Sequence, residues 1–259
     1  MKKTLFVLAI GLLGVSGVQA SVTLVSGFSR FDQTSPDSGT AVSDLGTTSL
    51  SWTLNDAIWN DDGTWTSNAT NTKKNGLDVS SLNLSGAADS SGYTVNINFA
   101  KATNFQNYAS IFCASIQGTS GNNANSMLAR YEGNNKIGLI NNGSSTGRPA
   151  ISDAINFNDP FSLTLSVQAG GSYSLFITQN GTTQSMSWGT QTGTLGELYI
   201  GCWSSLPGNQ CSPTVSGLSF WEGAATQDDL AAIINVPEPA TASLSLLGLG
   251  ALCLRRRRK

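Results

Sequence analysis

Short stretches in which apolar and polar residues alternate recur through the middle of the chain and constrain its fold more than any other feature. Tyr93–Phe99 and Phe161–Val167 alternate without interruption, and Leu50–Leu54 repeats the pattern over a shorter length. A period of two is typical of a β-strand with one buried face. Asn180-Gly181 is the strongest hairpin signal, because it separates two such stretches and both residues tolerate a positive φ.

The predicted strands leave no room for a long helix. About eleven are expected, namely Val22–Phe28, Leu50–Leu54, Tyr93–Phe99, Ser110–Ile116, Met127–Tyr131, Lys136–Ile140, Phe161–Val167, Ser172–Gln179, Thr183–Trp188, Leu198–Trp203 and Val215–Trp221. Many short strands with hairpin connections predict an all-β fold, either a barrel or, as we expect, a two-sheet antiparallel jelly-roll sandwich.

One short helix is predicted at the end of this region. Thr226 and Asp229 have the spacing of a capping box, and Leu230, Ile233 and Ile234 follow at helical spacing. We expect one or two turns of helix that cover an edge of a sheet.

The amino terminus has the pattern of a secretory signal peptide. Lys2 and Lys3 precede an apolar run over residues 5–15, and the segment closes on small residues up to Ala20. The apolar run is shorter than the roughly 20 residues that a membrane-spanning helix needs. We therefore expect signal peptidase to remove residues 1–20 by cutting between Ala20 and Ser21.

The carboxyl terminus has three parts in a fixed order. Pro237-Glu238-Pro239 comes first, an apolar stretch over residues 240–254 follows, and the chain closes on the basic run Arg255–Lys259. As a helix the apolar stretch would be about 22 Å long, which is short for a hydrocarbon core of about 30 Å. The basic run should remain on the cytoplasmic side of the membrane.

This terminal segment resembles the PEP-CTERM sorting signal of bacterial exported proteins. The resemblance implies that a membrane transpeptidase, the exosortase, acts near Pro237-Glu238-Pro239 and releases or re-anchors the protein. It also implies that the segment over residues 240–254 anchors the chain transiently in the inner membrane, and that the protein belongs to the cell envelope or the extracellular space.

Residues 21–236 remain between the two signals and have the length of a single β-sandwich. This domain has seven basic and fifteen acidic side chains, a net charge of −8, whereas the whole chain carries −2. Nucleic acid is excluded as a partner, because its binding requires cations that displace counterions from phosphates. The chain has no histidine, which excludes Ser-His and Cys-His nucleophile pairs and His-ligated zinc.

The closing segment of the domain carries a second resemblance. Ser216–Leu230, with the sequence SGLSFWEGAATQDDL, is similar to the last strand and helical turn of LamG-like domains, which belong to the concanavalin A-like lectin and glucanase superfamily. The resemblance spans Val22 to Asn235 and implies the sandwich fold. Members often have an acidic pair where this chain has Ser216 and Gly217. Lectins, hydrolases and scaffolding modules share this fold, so the fold does not settle the function.

Trp59 and Trp65 frame the predicted ligand site. They lie in a segment rich in Gly, Asn and Asp, together with Asn60, Asp61 and Asp62. An aromatic ring beside amide and carboxylate acceptors suits a sugar, which has an apolar ring face and a rim of hydroxyls. Two alternatives stay open, namely that the tryptophans belong to the core and that the two aspartates lie in a solvated turn.

The same segment contains oxygen ligands for a metal ion, and the charge of the domain restricts the charge of the ligand. Asn60-Asp61-Asp62-Gly63 supplies oxygen ligands of the kind that calcium prefers but lacks the spacing of an EF-hand. We expect no cofactor, with calcium as the alternative. The net charge of −8 disfavours sulfated and sialylated ligands, so the expected partner is a neutral polysaccharide or glycan.

Catalysis is not expected. Glycoside hydrolysis needs two carboxylates about 5–9.5 Å apart, whereas Glu132, Glu197 and Glu222 are each isolated from a second carboxylate at the glucanase spacing. The sequence therefore favours a non-catalytic module that binds carbohydrate. A structural protein of the extracellular matrix without a specific ligand fits equally well, and a glycoside hydrolase fits less well.

Three cysteines lie in the exported domain, and Cys253 lies in the sorting tail. Cys113 falls within a predicted buried strand and is expected to be a buried thiol. Cys202 and Cys211 bracket a polar loop, and we expect a disulfide between them because the compartment permits one.

Overall fold

The computed structural model describes residues 22–31, 40–53, 57–68, 76–106, 108–117, 126–141, 149–202 and 210–235. The predicted signal peptide, with Ala20 and Ser21, and the sorting segment, with Pro237, Glu238 and Pro239, lie outside the described residues. No helix among the described residues is long and apolar enough to span a membrane.

Strands dominate the described part of the chain. They are β1 (Thr23–Phe28), β2 (Thr40–Val42), β3 (Leu45–Gly46), β4 (Ser51–Thr53), β5 (Ile58–Trp59), β6 (Trp65–Thr66), β7 (Gly76–Asp78), β8 (Tyr93–Thr103), β9 (Ser110–Ile116), β10 (Ser126–Tyr131), β11 (Ile137–Asn141), β12 (Phe161–Val167), β13 (Ser172–Gln179), β14 (Thr182–Thr190), β15 (Leu195–Ile200) and β16 (Ser212–Glu222). A 3₁₀ turn at Ser80–Leu82 follows β7, and a second at Gln227–Asp229 leads into helix α1 (Leu230–Ile234).

Two antiparallel sheets form the sandwich. The larger has the order β14-β13-β12-β8-β16-β1-β3, with β6 paired to β16 and β5 paired to β6. The smaller has the order β11-β10-β9-β15-β7, and β2 pairs with β4 separately. The prediction of an all-β antiparallel sandwich with one short helix is confirmed.

The core lies between the sheets and is built from alternate residues of neighbouring strands. Ile97 on β8 stands opposite Leu163 on β12 and Leu218 on β16, and all three are buried. Phe112 on β9 and Leu198 on β15 supply the facing surface from the smaller sheet. The perfect alternation of β8 and β12 thus places every second side chain in this layer.

Strand boundaries differ from the predicted ones where a backbone constraint intervenes. β15 begins at Leu195 and ends at Ile200 instead of running to Trp203, because Gly201 has a φ of +73° and leaves the extended conformation. Five further strands, β2, β3, β5, β6 and β7, have only two or three residues. Strands this short cannot show an alternation of apolar and polar residues. Their pairing with neighbouring strands determines where they form.

The capping box is confirmed, but the helix does not cover a sheet edge. The backbone N–H and the hydroxyl of Thr226 both donate to Asp229 Oδ2 at 2.8 Å. Asn98 Nδ2 on β8 donates to the carbonyl of Ile234 at 3.2 Å, and β8 is a central strand. The helix lies over the middle of the outer face of the larger sheet. Buried polar side chains on this face require hydrogen-bond partners, which the helix and the residues before it provide.

The predicted disulfide is absent from the structure. Cys202 and Cys211 are both buried and unbridged. The Cys211 thiol points to β9 and donates to the carbonyl of Ser110 at 3.4 Å. Burial raises the pKa of Cys211, which keeps the sulfur protonated. Cys113 is a buried thiol as predicted, on the outer face of the smaller sheet beside Leu128.

Candidate functional site

Trp65 does not belong to a ligand site. It lies on β6 opposite Val215 of β16, and its side chain has no exposed surface. Its ring packs edge-on against Trp52, with centroids 5.1 Å apart, and against Phe31 at 6.1 Å. The prediction of a sugar-binding Trp65 is wrong, since pairing of β6 with β16 turns this side chain into the core.

The neighbouring residues form a solvated turn. Asp61 and Asp62 are exposed, and Asp62 Oδ1 accepts from the backbone N–H of Thr64 at 3.0 Å and from its hydroxyl at 2.7 Å. These hydrogen bonds lower the pKa of Asp62. Asn60 Nδ2 donates to Thr64 Oγ1 at 2.9 Å, and the half-buried Trp59 packs against the core.

Asn60 and Asp62 thus both hydrogen-bond to Thr64 within the turn. Of the predicted cluster of Trp59, Asn60, Asp61 and Asp62, these two residues have side-chain groups engaged there. Among the described residues, no three His, Cys, Asp or Glu side chains group as metal ligands, and the Asp62 carboxylate that calcium would need holds the turn together.

A layer of small polar side chains covers the outer face of the larger sheet, away from the predicted tryptophan segment. Its buried members are Thr94, Asn96, Ser162, Thr164, Ser166 and Ser219. The C-terminal segment, residues 223–235, provides hydrogen-bond partners for several of them. Thr94 Oγ1 donates to the Gly223 carbonyl and accepts from the Ala225 N–H, both at 2.8 Å, and Ser166 Oγ donates to the Ala225 carbonyl at 2.8 Å.

Where the C-terminal segment does not cover this face, an open cleft remains. It lies between helix α1 on one side and the β13–β14 hairpin on the other, and its volume is about 620 Å³. We call this space the cleft. Its lining residues are Asn98, Phe99, Pro160, Phe161, Ser162, Thr178, Gln179, Asn180, Gly181, Thr183, Ser216, Gln227, Asp228, Leu230, Ala231, Ile234 and Asn235.

Local sequence shapes the hairpin wall of the cleft. Asn180 and Gly181 have φ values of 51° and 76°, as the hairpin prediction requires. Thr178 and Thr183 then stand opposite each other, and their hydroxyls lie 2.9 Å apart. The side-chain amide of Gln179 hydrogen-bonds twice to the backbone of Asn156. Its oxygen accepts from the N–H at 3.0 Å, and its nitrogen donates to the carbonyl at 2.8 Å, which ties the wall to the preceding loop.

Hydrogen bonds hold the floor of the cleft in one arrangement. Thr164 Oγ1 donates to Asn96 Oδ1 at 2.9 Å, and Asn96 Nδ2 donates to Asn98 Oδ1 at 3.1 Å. Ser162 Oγ also donates to Asn98 Oδ1, at 2.7 Å. Because Asn98 Nδ2 donates to a carbonyl on the helix, which can only accept, the orientation of this amide is determined.

The cleft is almost free of charge. Asp228 is the single ionisable side chain among its lining residues, and the remaining polar groups are amides and hydroxyls. Leu230, Ala231 and Ile234 add an apolar strip along the helix wall. Such a surface can exchange hydrogen bonds with a ligand that has many hydroxyls and can contact its apolar faces.

Sequence reasoning did not find this site, because its residues come from five separate parts of the chain. Two signals were nevertheless present. The polar positions of the perfectly alternating strands include Asn98 and Ser162, and residues 149–236 contain no Lys or Arg. Ser216, where the LamG-like resemblance expects an acidic residue, also lines the cleft.

Fold and site together define an all-β sandwich with a polar, nearly uncharged cleft on the outer face of its larger sheet. Residues 235–259 match the family described as the PEP-CTERM protein-sorting motif, which confirms the terminal signal. The protein is therefore one that is exported, with transient anchoring in the membrane through this signal. A comparison with curated protein sequences gives no match.

Solved structures with the same fold include sialidases. Trypanosoma rangeli sialidase aligns with a TM-score of 0.54 at 10% identity, covering 82% of this chain and 32% of that chain. The same sialidase in complex with sialic acid gives 0.52 at 11% identity, with 82% and 33% covered. The CBM40 of the Ruminococcus gnavus IT-sialidase, bound to alpha2,3 sialyllactose, gives 0.45 at 13% identity, with 65% and 96% covered.

The two alignments with Trypanosoma rangeli sialidase show a shared fold and nothing more specific. The chain spans about a third of the Trypanosoma rangeli sialidase with which it aligns.

Proposed function

We propose that the exported protein is a non-catalytic LamG-like module that binds a neutral carbohydrate in the cleft. The observation that supports this most directly is the composition of the cleft, which combines amides and hydroxyls with an apolar strip and a single carboxylate. Its volume also falls within the range of roughly 300–1,000 Å³ that is common for small-molecule sites.

The chemistry of sugars matches this lining. An amide donates through nitrogen and accepts through oxygen, so one side chain can pair with neighbouring hydroxyls of a ring. The strip of Leu230, Ala231 and Ile234 offers contact to the C–H face of a pyranose. No exposed aromatic platform is needed for this mode of binding.

An acidic sugar suits the cleft less well. A carboxylate is commonly recognised by a bidentate arginine, whereas the described basic residues, Arg30, Lys101, Arg130 and Lys136, are absent from the cleft lining. The exposed Asp228 would repel an anionic ligand. The sialic acid of the structural neighbours is therefore not the ligand that we propose.

The same lining supports a binding role without hydrolysis. Two carboxylates would have to flank a glycosidic bond, and Asp228 is the single carboxylate among the residues that line the cleft. Incubation with β-glucans should release no reducing ends. Their release, lost on replacement of Asp228, would contradict this part of the proposal.

Filling the cleft should weaken glycan binding without unfolding the protein. Ala231 is exposed and lines the cleft, so Ala231→Trp places an indole in the binding space. Ala232 is also exposed but does not line the cleft, which makes Ala232→Trp the matched control. On immobilised neutral polysaccharides, Ala231→Trp should weaken retention by about tenfold or more, and Ala232→Trp should leave it unchanged.

Two results would contradict this proposal. Equal retention of both variants would place the ligand elsewhere. Failure of the unmodified protein to bind any neutral polysaccharide or mucin-type glycan would favour the structural, matrix-protein alternative.

Processing at both termini is the second part of the proposal. The mature protein should begin at Ser21 and should lack the residues that follow Pro237-Glu238-Pro239. Asn235, which lines the cleft, precedes this point, so processing leaves the cleft complete. Intact-mass measurement of the exported protein tests the proposal, and a mass that still includes Arg255–Lys259 would contradict it.

A further inference from the structure

A second open pocket lies at the opposite end of the β13–β14 hairpin from the cleft. Its volume is about 380 Å³. The accessible lining residues are Gln168, Ser172, Ser174, Ser187, Trp188 and Gly189, each of which is exposed or half-buried. The remaining lining residue, Tyr173, is buried. We call this space the Trp188 pocket.

A β-bulge in β14 places Trp188 in this pocket. The pairing of β13 with β14 shifts between Ser172 and Ser174, so that two residues of β14, Trp188 and Gly189, stand opposite one residue of β13. Gly189 has a φ of +66°, a conformation that favours glycine. A bulge turns a side chain out of the regular alternation of its strand. The Trp188 ring accordingly packs against the core and also lines the pocket.

Polar groups of the Trp188 pocket remain available to a ligand. The indole nitrogen of Trp188 is not among the buried polar atoms, and its N–H has no acceptor among the described residues. The side-chain amide of the exposed Gln168 likewise makes no hydrogen bond to a described residue. The Oγ atoms of Ser174 and Ser187 lie 2.7 Å apart. Because one of these hydroxyls donates to the other, one hydroxyl hydrogen of the pair remains free.

The absence of charge restricts the kind of ligand. No Asp, Glu, Lys or Arg lines the Trp188 pocket. A phosphate, sulfate or carboxylate would therefore meet no cation. A wholly apolar molecule would cover the hydroxyls and the amide without giving them hydrogen-bond partners. A neutral sugar suits both surfaces, because its C–H face can contact the aromatic ring while its hydroxyls pair with the polar groups.

We propose that the Trp188 pocket is a second binding site, separate from the cleft, for a short neutral saccharide. The C–H face of one sugar ring lies against the indole of Trp188. Its hydroxyls pair with the amide of Gln168 and with the hydroxyls of Ser174 and Ser187. This site goes beyond the proposed function, which places a ligand in the cleft, and it is supported by residues that do not line the cleft.

The two sites share one face of the same hairpin. Thr178 lines the cleft, and Ser174 lines the Trp188 pocket. Both lie on β13 with an even spacing, so their side chains point to the same face, about 14 Å apart at roughly 3.4 Å per residue. One polysaccharide chain can reach across this distance. Engagement of both sites should raise retention through the effective concentration of the second site.

The test observes the Trp188 indole directly. Exported protein labelled with ¹⁵N is titrated with di- and trisaccharides of glucose, xylose, mannose and galactose. The indole N–H resonance of Trp188 is assigned by its absence from Trp188→Phe, a variant that keeps an aromatic ring against the core. With one or more of these saccharides the resonance should shift to saturation. The shift should persist in Ala231→Trp, in which the cleft is filled.

Gln168→Ala tests the polar contact, and Gln106→Ala is its matched control. Gln168 and Gln106 are both exposed, and Gln106 lines neither site. The dissociation constant measured at the Trp188 resonance should rise by about two- to tenfold in Gln168→Ala, the effect of one lost hydrogen bond. It should stay unchanged in Gln106→Ala. Unchanged resonances in the rest of the spectrum show that both variants are folded.

Three results would overturn this site. They are a Trp188 resonance that shifts with none of the saccharides, a shift that is lost in Ala231→Trp, and equal dissociation constants in Gln168→Ala and Gln106→Ala. None of them bears on the cleft, which the retention of Ala231→Trp and Ala232→Trp tests separately. Equal retention of those two variants, together with a shift at Trp188, would overturn the cleft and support the Trp188 pocket.

Discussion

Replacing Trp65 with alanine is expected to lower the free energy of unfolding by about 3–5 kcal/mol, the cost of removing a large aromatic side chain from a packed core. The side chain is fully buried and contacts Trp52 and Phe31. The cavity cannot close easily, because Trp65 is held between β16 and the separate β2–β4 pair. Chemical denaturation followed by tryptophan fluorescence and circular dichroism measures the loss.

Trp59→Ala provides the comparison within the same segment. Trp59 is half-buried at the surface of the core, so its replacement should cost about 1–2 kcal/mol. Neither substitution should alter glycan affinity in the protein that remains folded. A Trp65→Ala protein with unchanged stability and lost glycan binding would restore Trp65 as a ligand contact.

Replacing Thr94 with valine should also destabilise the protein, although the two side chains have nearly the same shape. The buried hydroxyl bridges the carbonyl of Gly223 and the N–H of Ala225. Valine leaves both backbone groups buried without a partner, at about 1–3 kcal/mol each, so a loss of about 2–6 kcal/mol is expected. Thr190→Val, at an exposed position on β14, should change stability by less than about 0.5 kcal/mol.

The loss at Thr94 should be concentrated in the C-terminal segment. Because the two hydrogen bonds position the chain just before α1, amide exchange over residues 223–235 should accelerate more than exchange in β12. Glycan binding should weaken with it, since α1 forms one wall of the cleft. If Thr94→Val and Thr190→Val had the same stability and exchange, the C-terminal segment would not depend on this contact.

Features that depend on neighbouring residues were predictable from the sequence. The alternation in Tyr93–Phe99 and Phe161–Val167 defines two central strands, because the side chains of a strand necessarily point to opposite faces. Asn180-Gly181 defines the hairpin through its backbone preference, and Thr226 and Asp229 define the start of the helix through two local hydrogen bonds. The terminal sorting signal is likewise a contiguous pattern, confirmed over residues 235–259.

Features that depend on distant partners were decided by the tertiary structure. Trp65 and Trp59 occupy similar sequence contexts, and pairing of β6 with β16, about 150 residues later, buries the first and leaves the second at the surface. The position of α1 over the sheet follows from the hydrogen-bonding needs of Thr94, Asn98 and Ser166, none of which is near it in sequence. The cleft exists because the C-terminal segment covers only part of the polar outer face of the larger sheet. No local sequence pattern specifies how much of that face the segment covers.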